Sequence, residues 1–166
     1  MYIKIAFALC LLLTGCQGNS QEKKTAMTQD DQTEKKFEIV KTDAEWQKEL
    51  TPMEYQVLRH AATENPFSSD LLENKKEGTY VCAGCGTELF KSDTKFKSGT
   101  GWPSFYKEIK GNVAYDVDYK IGYKRTEEHC ATCGGHLGHV FEDGPEPTGL
   151  RHCVNGAALK FVPAKN

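Results

Sequence analysis

The stretch Gly149–Phe161 holds one cysteine, Cys153, with Arg151 two residues before it and Asn155 two residues after. If Leu150–Asn155 is extended, side chains at alternate positions share a face. Arg151, Cys153 and Asn155 then point one way, His152 and Val154 the other. A guanidinium beside a thiol favours the thiolate, the attacking form of the sulfur. The alternative is an inert cysteine on a core strand, with Asn155-Gly156 as a plain hairpin turn. A nucleophilic cysteine commonly needs an acid or base nearby, and the run Gly134–Phe141 supplies His136 and His139. In a regular strand these two face opposite ways. The glycines at 134, 135 and 138 permit a bulge that brings both to one pocket, although such glycines also mark simple turns beside surface histidines.

Cys82-Ala83-Gly84-Cys85-Gly86 and Cys130-Ala131-Thr132-Cys133-Gly134 are two knuckles of one design. Cysteines spaced by two residues can turn both sulfurs to one metal, and the following glycine accepts the tight backbone. Four thiolates make a closed tetrahedral zinc shell that is structural rather than catalytic. Two disulfides compete with this reading, but adjacent pairs of this spacing form strained, oxidising bonds more often than structural ones. The insert Gly86–His129 is too long for a compact ribbon, so it must itself be folded. Within it, Ser98–Phe105 has the composition of a rigid loop presenting aromatic surface. Trp102 and Phe105 there would suit an apolar methyl or thioether group; Trp102 as core filler is the alternative.

These groups need a scaffold. Thr42-Asp43-Ala44-Glu45 and Thr51-Pro52-Met53-Glu54 each place a capping threonine three residues before a glutamate, so two short helices start there. The second carries Tyr55, Leu58 and Ala62 on one face and stops before Asn65-Pro66. Beyond Gly78 the period changes to two. Val113, Tyr115, Val117, Tyr119, Ile121 and Tyr123 alternate with polar residues, which predicts a half-buried antiparallel strand or two joined by a tight turn. Short strands are expected at Thr79–Cys82, Glu88–Phe90, Val140–Phe141, Leu150–Val154 and Leu159–Val162. The fold class is mainly β, with small helices in front.

The whole chain has 166 residues, enough for one domain plus unstructured sequence. A net charge of −2 offers no positive field for nucleic acid. Residues 1–15 hold one lysine and an apolar run from Ile5 to Leu13, the proportions of an export signal and too short to span a bilayer. The ending Leu13-Thr14-Gly15-Cys16 resembles a bacterial lipoprotein signal, cleaved before a cysteine that then carries lipid. Residues 16–36 are polar and form a flexible tether, leaving residues 37–166 as the folded domain. Cys16 thus attaches the protein to a membrane of the cell envelope, facing periplasm or exterior. Gln17 after it resembles sorting to an outer membrane where the cell has one.

Taken together, CAGCG, SGTGWPSF, CATCGGHLGHVFEDGP and GLRHCVNGAALKF closely resemble the B-type methionine sulfoxide reductases, across roughly Phe37 to Pro163. The resemblance implies two antiparallel β-sheets and action on the R epimer of methionine sulfoxide, free or in proteins. It implies Cys153 as nucleophile, Arg151 and Asn155 as its neighbours, His136 and His139 lining the site, and His139 as the stronger candidate acid. Trp102 would contact the substrate methyl, and Cys82, Cys85, Cys130 and Cys133 would hold zinc. Attack on the sulfoxide sulfur, with protonation of its oxygen, would leave methionine and a cysteine sulfenic acid. Many members carry a resolving cysteine where this chain has Thr100. With Cys10 removed, Cys16 acylated and four thiols on metal, a thioredoxin-like external thiol is expected to regenerate Cys153. The rival readings are a zinc-ribbon interaction module without catalysis and a thiol oxidoreductase that uses its paired cysteines.

Overall fold

The computed structural model describes residues 37–165, so the expected signal segment, the expected acylation site at Cys16 and the expected tether lie outside the described residues. Both helix starts form as the threonine–glutamate spacing requires. The Thr42 hydroxyl accepts the Glu45 N–H while the Glu45 carboxylate accepts the Thr42 N–H, and Thr51 and Glu54 repeat the exchange. Each cap contributes about 1 kcal/mol. The first helix, α1 (Asp43–Glu49), buries Trp46; the second, α2 (Pro52–His60), buries Tyr55, Val57 and Leu58. Left-handed Ala61 ends α2, so the chain leaves the helix before Asn65-Pro66 and Ala62 lies beyond its last turn.

Among the described residues nine strands follow: β1 (Gly78–Cys82), β2 (Glu88–Lys91), β3 (Lys95–Phe96), β4 (Ser104–Phe105), β5 (Val113–Asp118), β6 (Arg125–Cys130), β7 (His136–Phe141), β8 (Arg151–Val154) and β9 (Leu159–Pro163). They form two antiparallel sheets, β2-β1-β9 and β3-β4-β8-β7-β6-β5. The sheets meet through aromatic rings. Phe90 of β2 stacks on Phe105 of β4 with centroids 4.4 Å apart, and Tyr80 of β1 meets Phe105 edge-on at 4.9 Å. Such pairs add about 0.5–1.5 kcal/mol beyond their buried area. Phe105 is therefore a fully buried core residue, which corrects its reading as part of an aromatic surface that binds substrate.

The periodicity through residues 113–123 also resolves differently from the expectation of a half-buried face. The strand ends at Asp118, a turn follows, and Arg125 begins the partner strand β6. Val113 is buried, but Tyr115, Val117, Tyr119, Ile121 and Tyr123 are exposed, because this end of the hairpin runs past the core that would cover it. The alternate residue Asp118 is the buried one, held inward by polar partners rather than by apolar packing.

Candidate active site

Strand β8 delivers Cys153 as the alternation predicts. His152 and Val154 are fully buried on one face, and Arg151 and Cys153 occupy the other. The strand lies between β4, with Ser104 opposite Cys153, and β7, with His139 opposite Cys153. Gly138 makes the second approach possible, since a Cβ there would sit 2.0 Å from the Cys153 carbonyl oxygen. Cys153 is the only one of the five described cysteines outside the paired knuckles, and it carries no disulfide.

The two histidines come to one side through a bulge. Between the pairs Glu128–Gly138 and His129–His136, β7 spends one residue more than β6, and the odd residue, Leu137, is buried in the core. The imidazoles end with centroids 5.5 Å apart. Their partners differ. His136 Nδ1 lies 2.6 Å from Glu127 Oε1, and its ring stays outside the cavity that holds Cys153. His139 Nε2 lies 2.8 Å from Asp118 Oδ2 and lines that cavity.

The cavity has a volume of about 140 Å³ and is walled by Trp102, His139, Phe141, Arg125, Asn155, Thr63, Gly138 and Cys153. That suits an apolar group of a few atoms with one polar end. A wider hollow of about 700 Å³ runs along β1, β2 and β9, but lysines and carboxylates dominate its lining and no cysteine or histidine opens into it. Trp102 is thus a wall residue, half-buried, with its indole N–H donated to the Glu64 carbonyl at 3.2 Å.

Electrostatics set the resting protonation. Burial pushes the Cys153 thiol up; the Thr100 hydroxyl, 3.8 Å away, and the Arg151 guanidinium pull it down without cancelling that effect. Arg151 lowers this pKa as the sequence predicts, but the net shift is upward, because desolvation of the thiolate outweighs one guanidinium. That guanidinium is itself shared. It makes a two-pronged pair with Asp143 at 2.8 and 2.9 Å and lies 4.3 Å over the Phe141 ring. Arg151 shapes the wall through Phe141 and does not itself line the cavity.

Burial also lowers the His139 pKa, against the raising effect of Asp118. The imidazole is therefore neutral near pH 7. The Lys120 N–H, followed by His139 and Arg125, holds Asp118 far below the usual carboxylate range. An ionised carboxylate accepts only, so His139 carries its proton on Nε2 and keeps a lone pair on Nδ1. At rest the site holds a thiol and a neutral base, one transferable proton between them.

Two supports were not singled out from the sequence. Asp118 pairs with Arg125 across the hairpin, and the strand register about Gly122 carries that pairing. Arg125 lines the cavity with a buried Nε–H that meets no acceptor among the described residues. Glu64 is the other support. Its carboxylate accepts the Gly156 and Ala157 N–H groups, and its own N–H donates to Asn155 Oδ1 at 3.0 Å. Asn155 completes the tie by donating Nδ2–H to the Leu137 carbonyl at 2.9 Å. A row of hydroxyls braces the loop that carries Trp102: Ser104 to Ser98 at 2.7 Å, then Ser98 to Thr100 at 2.9 Å.

The four remaining described cysteines form one cluster, with ligand sulfurs all within 4.8 Å of one another. Cys82 and Cys133 sulfurs are 3.8 Å apart, Cys85 and Cys130 3.5 Å. All four are free thiols, with no disulfide within either adjacent pair, so the two-disulfide alternative is not what the fold forms. Sulfurs bound at about 2.3 Å to one tetrahedral ion lie about 3.8 Å apart, so the donor set fits a metal. Gly86 and Gly134 have φ of 80° and 70°, the left-handed backbone each knuckle needs. Cys82 ends β1 and Cys130 ends β6, so the ion would pin one sheet to the other.

Comparison with known proteins agrees with this geometry. The family described as SelR domain matches residues 50–163. The peptide methionine sulfoxide reductase MsrB of Leptospira interrogans is 56% identical over 126 residues, covering 75% of this chain and 96% of that protein. The MsrB of Bradyrhizobium diazoefficiens is 50% identical over 143 residues, covering 86% and 98%. That of Methanosarcina mazei is 55% identical over 125 residues, covering 75% and 89%.

Proposed function

We infer the activity of this chain from the family it belongs to, the SelR-domain peptide methionine sulfoxide reductases of the MsrB type: it reduces methionine R-sulfoxide to methionine. The observation that carries the assignment to specific residues is a single thiol, Cys153, opening into a small cavity walled by an indole and a neutral imidazole.

The substrate's S-methyl group lies against Trp102, with its sulfoxide sulfur before Cys153. The thiol passes its proton to the His139 nitrogen that faces no carboxylate, and the thiolate attacks sulfur. The resulting imidazolium returns the proton to the sulfoxide oxygen; that oxygen then shifts to the Cys153 sulfur, breaking its bond to the substrate sulfur, and the sulfur–sulfur bond made in the attack breaks to release the thioether. One thiol and one sulfoxide become one sulfenic acid and one thioether, so atoms and electrons balance. Asp118 keeps His139 in the tautomer this needs, and Arg125 offers an N–H toward oxygen.

Regeneration uses an external thiol, such as that of a thioredoxin-like protein. It condenses with the sulfenic acid to a mixed disulfide and water, and a second thiol then frees Cys153. Thr100 supports this: it presents a hydroxyl to Cys153 where the family resemblance puts a resolving cysteine. The metal is zinc in a structural role, because four thiolates leave no open position. The protein is a lipoprotein of the cell envelope, anchored through Cys16, and this rests on the sequence of residues 1–16.

The deciding experiment measures reduction of the R and S diastereomers of dabsylated methionine sulfoxide by wild type and Cys153→Ser. Turnover of the R form only, abolished in Cys153→Ser, is expected; equal turnover by the variant would overturn the assignment. Mass analysis after one equivalent of substrate should show one added oxygen and no internal disulfide. Metal analysis of the same sample should give one zinc per chain. Labelled palmitate should enter the wild-type chain in cells and not a Cys16→Ala variant.

A further inference from the structure

Of the nine large hydrophobic side chains exposed among the described residues, five lie between Tyr115 and Tyr123. Scattered exposed apolar residues need no explanation, but a contiguous group does. Tyr119, Ile121 and Tyr123 are 64%, 52% and 60% exposed and fill one turn. That turn closes with the Gly122 N–H donated to the Tyr119 carbonyl, while the Lys120 N–H binds Asp118. Strand β5 leading into it is the outer edge of the six-stranded sheet, with no described strand beyond it. Exposed apolar edges invite pairing with another chain and are normally blunted.

Position gives the group a meaning. Tyr119 directly follows Asp118, whose carboxylate holds His139, and Asp118 is opposite Arg125, a wall of the cavity. The apolar turn therefore begins one residue from the groups that hold the imidazole and one wall of the cavity. A cavity of about 140 Å³ admits a methionine sulfoxide side chain but not the backbone carrying it. When the sulfoxide belongs to a polypeptide, the flanking residues must lie on the rim. Around Arg151 that rim is charged through the Asp143 pair; at the hairpin it presents Tyr119, Ile121 and Tyr123, with exposed Lys120 and Lys124 interleaved.

We propose that Tyr119, Ile121 and Tyr123 form a docking ledge for an extended, apolar segment of the polypeptide that carries the oxidised methionine. The ledge selects unfolded protein over the free amino acid. This rests on the reading that the Cys153 cavity reduces methionine R-sulfoxide. An unfolded segment suits the ledge because it exposes apolar side chains and unpaired backbone together, the two things an edge strand with apolar neighbours can take up.

The test compares wild type with the triple variant Tyr119→Ser, Ile121→Ser, Tyr123→Ser, and with Val162→Ser, an exposed control on the other sheet. Three substrates are used: free methionine R-sulfoxide, a short peptide with one methionine R-sulfoxide between leucines and valines, and the same peptide with serine and glutamate flanks. The triple variant should lose about tenfold in kcat/KM on the apolar peptide, carried by KM, and little on the other two. Val162→Ser should match wild type on all three. An equal loss on the free amino acid would overturn the ledge, since the turn would then act on the cavity itself. So would no loss on the apolar peptide, or a wild-type dimer that the triple variant dissociates, which would make a second copy the occupant. Absence of turnover by wild type on every substrate would instead remove the reductase reading beneath the proposal.

Discussion

Two regions of this domain hold cysteine sulfur, and they treat it in opposite ways. At the knuckles four sulfurs lie within 4.8 Å of one another, each close enough to share an ion. In the cavity a fifth stands alone with a hydroxyl at 3.8 Å and an imidazole and an indole in the wall. The residue type is the same, and the neighbours decide. Sulfurs that face one another are placed to share a metal and hold sheets together, whereas a sulfur facing a proton acceptor and an apolar wall is placed to attack. Stability and chemistry are thereby kept in separate places.

The largest break in this contrast should come from the cluster. Cys85→Ser should lose the metal and several kcal/mol of stability, from the roughly 10–16 kcal/mol that structural zinc can contribute in small domains. Thermal unfolding with metal analysis checks this, and Cys153→Ser in the same assay should shift the transition little. Next, His139→Ala should lower kcat on the order of 10²-fold, the usual reach of one acid–base group. His136→Ala should cost less, because that ring lies outside the cavity. Steady-state rates on one substrate decide the order. Thr100→Cys would blur the contrast by giving the lone sulfur a partner. One equivalent of sulfoxide should then leave an internal disulfide, detected as the loss of two hydrogens by mass.

The smallest effect is on pH dependence. Burial raises the Cys153 pKa, so at neutral pH the thiolate is scarcer than for an ordinary thiol. Its alkylation by iodoacetamide should keep accelerating above about pH 8.5, where an ordinary thiol begins to level off. Arg151 opposes that rise, so Arg151→Met should shift the profile further up and slow alkylation a few-fold at pH 7. A downward shift would mean that the guanidinium does not act on the sulfur.

How much of this was legible in the sequence follows from the range of each signal. Local patterns held: both capping boxes, both glycine-terminated knuckles, and the alternation that separates Cys153 from His152. A bulge beside the histidines was one of the alternatives their flanking glycines left open; it turns both rings to one side, but only His139 reaches the cavity, against the expectation of both in one pocket. Signals failed where distance or burial decides. Strands β3 and β4 have two residues each, too few to show a period. Phe105 looked like part of a presented loop until Phe90 and Tyr80 closed around it. Glu64 and Asp118 reach the site through register and through contacts between distant segments, which no spacing rule encodes. The direction of the Cys153 shift was missed because desolvation belongs to the folded surroundings, while the arginine is visible two letters away.

Glu64 has one more consequence. Through its main chain and its carboxylate it fastens the segment after α2 both to the indole wall and to the turn beyond Cys153. The helical front of the domain is thus a tensioner for the binding walls, and its partial loosening on warming should be felt first as slack in substrate capture. KM would then climb at temperatures where the sulfur still reacts at full rate.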